Sequence, residues 1–125
     1  MDSESDLLRQ ANLLYDTARD LARRTRVLDR PSDSYDLLGC LTGTQRLLGQ
    51  VYDQLARWHG QVVDGVHHNG EDGYSPAPED GAARAEVALR TAAQSAMRVE
   101  DALMLAHTAN SVVCWFEGVR SPQRL

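Results

Sequence analysis

Apolar side chains recur along the chain at alternating spacings of four and three residues, the repeat that gathers them on one side of an α-helix. The first run is Leu7, Ala11, Leu14, Ala18, Leu21, Thr25 and Leu28, widened on one side by Leu8, Tyr15 and Ala22. The second is Leu37, Leu41, Thr44, Leu48, Val51, Leu55, Trp58 and Val62. The third is Ala85, Leu89, Ala92, Ala96, Val99, Leu103, Ala106, Asn110 and Val113. Two interruptions separate them. "LDRPSDSYD" carries Pro31, which cannot donate a backbone hydrogen bond, with Ser32 or Asp33 placed to cap the next helix. "HHNGEDGYSPAPEDG" is turn chemistry throughout. The pattern predicts helices over about 4–28, 33–66 and 79–117, with a loop at 67–78, and it contains no strand signature.

Three seamed helices with short joints predict an all-α fold, an up-down-up three-helix bundle forming a single domain over 1–118 with a tail at 119–125. The third helix, nearly 40 residues by this pattern, would extend about 55–60 Å. Charge placement agrees with the first helix: Asp2, Glu4 and Asp6 precede it, and Arg19, Arg23, Arg24, Arg26 and Arg30 crowd its end, complementing the helix dipole.

A chain of 125 residues can bury a core without metal or disulfide support. Its net charge of −5 argues against nucleic acid and anionic membranes as partners. Arginine supplies every basic residue, and lysine and isoleucine are absent, a usage that GC-rich bacterial coding of the actinobacterial kind produces. No apolar run approaches the roughly 20 residues of a membrane span. The acidic start, "MDSESDLLRQ", lacks the apolar stretch of a signal peptide. Cys40 and Cys114 lack C-x-x-C spacing, although antiparallel helices could bring them together. The expectation is a cytoplasmic protein with free thiols.

Trp58, His59 and Gly60 resemble the Trp-x-Gly tripeptide of the WXG family of secreted helical hairpins. That resemblance covers three residues and implies a hairpin with its turn at the tripeptide. The seam instead continues through Trp58 to Val62, and the break comes at 69–78. The residues themselves read as a seam tryptophan followed by an outward glycine. Gly39 and Gly43 fall on the same outward side, where each glycine costs about 1 kcal/mol relative to alanine.

Catalytic constellations are not apparent. His67 and His68 lie near Glu71 and Asp72, but adjacent loop histidines do not easily share one tetrahedral ion. No E-x-x-H or E-x-x-E metal pattern, G-x-S-x-G elbow or phosphate-binding glycine loop occurs. Arg98 and His107 are too far apart for an R-x4-6-H ribonuclease motif. His59 and His107 fall beside their seams as half-buried residues. Arg19, Arg23, Arg26 and Arg30 share one helix face with Asp16, Asp20 and Asp29 interleaved, which reads as a solvated surface. No enzyme activity, cofactor or metal is expected.

One stretch stands out. "ALMLAHTANSVVCWF", residues 102–116, carries no formal charge with His107 neutral. The seam accounts for Leu103, Ala106, Asn110 and Val113. It leaves Met104, Leu105, Val112 and Trp115 on the opposite side together with Met97, and a helix apolar all round is normally covered all round. These five residues, Met97, Met104, Leu105, Val112 and Trp115, are the expected partner-binding surface. The expected partner is a second copy, since two-fold dimers are the commonest oligomers, or else another protein. Asn110 in the seam could fix register or oligomeric state. The sequence therefore predicts a non-catalytic helical-bundle protein acting through protein–protein interaction as a homodimer. The alternatives are a secreted WXG-like protein or a small-molecule sensor whose cavity is left by Ala85, Ala92, Ala96 and Ala106.

Overall fold

The computed structural model describes residues 5–62 and 80–116. All regular structure among them is helical: α1 (Asp6–Arg24), α2 (Asp33–Gln61) and α3 (Asp80–Asn110). The chain divides into two compact units, one spanning Tyr35–Val113 and the other holding α1. The predicted loop at 67–78 and tail at 119–125 lie outside the described residues, as do His67 and His68.

α1 starts where Ser5 accepts a hydrogen bond on its hydroxyl from the Leu8 amide at 3.1 Å, with Asp6 in the first turn. It ends earlier than the seam predicts. The Thr25 amide and hydroxyl both donate to the Leu21 carbonyl, at 2.9 and 2.8 Å, and close the last turn. Its charges pair along the helix: Arg9 with Asp6, Arg19 with Asp16, and Arg23 and Arg24 with Asp20. The interleaved aspartates thus neutralise two of the outward arginines locally, through exposed pairs individually worth little.

α2 and α3 pack as an antiparallel hairpin. Gly60 lies beside Glu86, Gly49 against Ala96, and Gly39 beside His107, while Arg46 pairs with Glu100 at 2.8 Å. Rising numbers on one helix meet falling numbers on the other. The inner row of α2 is Gly39, Thr42, Arg46, Gly49, Asp53, Ala56 and Gly60, again at alternating three and four. Ala56 and Thr42 on this row are buried, as is Ala96 on α3. The Thr42 hydroxyl donates to the Leu38 carbonyl at 2.8 Å, so its burial leaves no polar group unpaired.

This contact corrects the sequence reading of the glycines. Gly39 and Gly60 face α3 instead of pointing outward, and only at Gly43 would an added Cβ meet nothing within 4 Å. Gly49, which the apolar pattern does not mark, lies against the α3 backbone: a Cβ there would stand 3.4 Å from the Ala96 Cβ and 3.8 Å from the Ala93 carbonyl oxygen. On a wheel of 100° per residue, the leucine seam of α2 is centred roughly 150° from this inner row. Val51, Leu55 and Trp58 of that seam are accordingly exposed, and no large side chain among the described residues is fully buried.

α2 runs unbroken through Trp58, His59 and Gly60 to Gln61, so the tripeptide occupies helix and not a turn. The Trp58 ring meets His59 edge-on, with centroids 4.9 Å apart, and His59 Nδ1 lies 2.7 Å from the Leu55 carbonyl oxygen. A Cβ at Gly60 would stand 2.7 Å from a carboxylate oxygen of Glu86, the far end of a side chain that can swing aside.

Candidate protein-binding surface

α3 positions the predicted surface by using its inner side on α2. Glu86, Arg90, Ala93, Ala96, Glu100 and His107 all meet or border α2. Two chemistries secure that side. Small residues let the backbones approach at Gly49, Ala93 and Ala96. Polar side chains hold the ends: His107 stacks on Tyr35 with ring centroids 4.1 Å apart, and Arg90 reaches Asp53 at 3.6 Å and Glu86 at 2.9 Å. Arg57 also pairs with Asp53.

The five residues expected to bind a partner are all exposed: Met97 by 63%, Met104 by 47%, Leu105 by 74%, Val112 by 81% and Trp115 by 44%. They do not form one continuous helical face, because α3 ends at Asn110 and not near 117. The cause is local. The Ser111 amide is shared between the carbonyls of His107 and Thr108, at 3.1 and 3.2 Å, and its hydroxyl donates to the Thr108 carbonyl at 2.6 Å. The Val113 amide then reaches the Asn110 carbonyl at 3.0 Å. These tighter bonds close the helix in a turn, and the short polar side chain of Ser111 competes for a backbone carbonyl. Met97, Met104 and Leu105 remain on α3, whereas Val112 and Trp115 come after its end.

A second feature escaped the sequence reading. A groove of about 470 Å³ opens along the hairpin over Gly49 and Ala93, with Gln50, Gln94 and Met97 on its walls. Arg46–Glu100 and Asp53–Arg90 border it, so its charges are already matched. No apolar signal marks it, and only the missing side chain at Gly49 could have hinted at it. The alanine at 96, a candidate for an internal ligand cavity, is instead buried against Gly49 and serves close helix approach.

Among the described residues no group of three or more histidine, cysteine, aspartate or glutamate side chains is placed to hold a metal ion. Cys40 and Cys114 are exposed free thiols. No described helix is long and apolar enough to cross a membrane. No protein-family model, curated protein or solved structure matches the chain.

Proposed function

We propose that the chain is a non-catalytic cytoplasmic protein that works by binding protein, as a homodimer joined through the outer side of α3. The observation that carries this reading is the exposure of Met97, Met104 and Leu105 on a helix whose inner side α2 already occupies. Exposed apolar side chains of this size forgo roughly 25 cal/mol for every Å² left in water. A second copy supplies cover without a second gene product, and methionine adapts well to such contacts.

The reading includes the up-down-up arrangement. The α1 stripe of Leu7, Ala11, Leu14, Ala18 and Leu21 has the same four–three spacing as the leucine seam of α2, which the hairpin leaves exposed at Val51, Leu55 and Trp58. Matching stripes of this kind are what a bundle packs together. The outer side of α3, which α2 leaves open, is the face this reading assigns to the partner.

Sedimentation velocity from low to high micromolar protein, under reducing conditions, tests the reading on wild type and Leu105→Asp. The expected result is a wild-type dimer that the substitution dissociates with helix content unchanged. A wild-type monomer at every concentration would refute it.

A further inference from the structure

One exposed row of α3 is nearly its own mirror. It runs Val87, Thr91, Gln94, Arg98, Asp101, Leu105 and Thr108 at alternating four and three, and the same spacing reaches Val112 just past the helix end. All eight positions are exposed. About a centre between Val99 and Glu100, valine at 87 matches valine at 112, threonine at 91 matches threonine at 108, and arginine at 98 matches aspartate at 101. Gln94 and Leu105 complete the set. In an antiparallel helix pair, facing residues keep a constant sum of numbers, and a two-fold axis makes every contact occur twice. A row that is complementary about its own centre therefore fits a second copy of itself turned end over end.

We propose that the homodimer is an antiparallel α3–α3 pair with its two-fold axis between Val99 and Glu100, in which Arg98 meets Asp101 of the partner subunit and Asp101 meets the partner subunit's Arg98. This register rests on the self-association reading above and specifies its contacts. Charge supplies the argument for a second copy as occupant. Arg46, Arg57 and Arg90, which border α2 and α3, each pair with a carboxylate in their own hairpin. Arg98 and Asp101 stand one helical turn apart, yet neither side chain makes a hydrogen bond or ion pair among the described residues. Both are exposed, and a second copy of the row would set an opposite charge against each.

The same register accounts for the exposed methionines. Met97 and Met104 flank the row on one side, and end-over-end pairing brings Met97 of each copy within about one helical turn of Met104 of the partner subunit. On the other flank Ser95 and Ala102 are small, which permits close approach of the backbones. Leu105 covers the partner subunit's Gln94. The central layers are polar, so the pair is a modest one.

Sedimentation equilibrium on the full chain under reducing conditions tests the register with Arg98→Asp, Asp101→Arg and the double reversal. Each single change sets like charges opposite one another twice, and the dissociation constant should rise about tenfold or more. The double reversal restores opposite charges and should return it to within about threefold of wild type. If the wild type dimerises but the single changes have no effect, or the double reversal fails to restore binding while circular dichroism shows intact helix, the register is overturned and the homodimer stands. A wild type that stays monomeric overturns the homodimer and the register together.

Discussion

The two sides of α2 differ in both chemistry and exposure, and the difference inverts a common expectation. Its larger apolar residues, Val51, Leu55 and Trp58 among them, lie on the side that the hairpin leaves exposed. Gly39, Gly49, Gly60, Thr42 and Ala56 lie on the side that α3 covers, with Ala56 and Thr42 buried. Small residues win the contact because they allow backbones to approach and ion pairs such as Arg46–Glu100 to close across them. Large residues contribute more burial energy per side chain, but only against a surface that can receive them. An apolar seam marks a side that needs cover, and it does not by itself say which helix supplies that cover.

Substitutions on the two sides should separate these roles. The largest effect belongs to Gly49→Leu, which drives a branched side chain into the Ala96 Cβ and the Ala93 carbonyl oxygen. Overpacking of this kind should destabilise the chain by about 2–3 kcal/mol in urea unfolding. Next is Glu100→Gln, which removes the carboxylate paired with Arg46. Glu100 is only 15% exposed while Arg46 is well solvated, so the loss should be about 1 kcal/mol and should shrink as salt is added. Gly43→Ala has the opposite sign. An added Cβ meets nothing within 4 Å, and the helix gains about 0.5–1 kcal/mol, visible as a raised melting temperature. Leu105→Asp should change the unfolding free energy of the monomer least, by less than about 0.5 kcal/mol, while abolishing self-association. A large loss of monomer stability there would place Leu105 in the chain's own core instead of on its outside.

Much of the fold was legible in the sequence. The four–three seams identify three helices, and Pro31 falls between the first two. α2 begins at Asp33 as the capping residues indicate. What was not legible was which side of α2 meets α3, because the apolar pattern weights leucine and overlooks glycine. Gly39 and Gly60 therefore looked outward, and Gly49 passed without notice. The end of α3 was overrun for a related reason: apolar residues continue to Phe116, but Ser111 and its neighbours divert the backbone into tighter turns. Of the candidate surface, the exposure of all five residues agrees with the pattern, while Val112 and Trp115 lie beyond the helix that was to present them. The outer row of α3 was invisible to a search for apolar residues, since threonine, glutamine, arginine and aspartate occupy its centre.

Self-association through the outer side of α3 predicts concentration-dependent cover on that helix and none on the seam of α2. Amide hydrogen exchange, followed across a range of protein concentrations, separates the two surfaces because it reports protection segment by segment. Protection over residues 87–108 should grow with concentration while that of α2 stays constant. Growth confined to α2, with α3 unchanged, would contradict the α3 dimer and place the contact on the leucine seam.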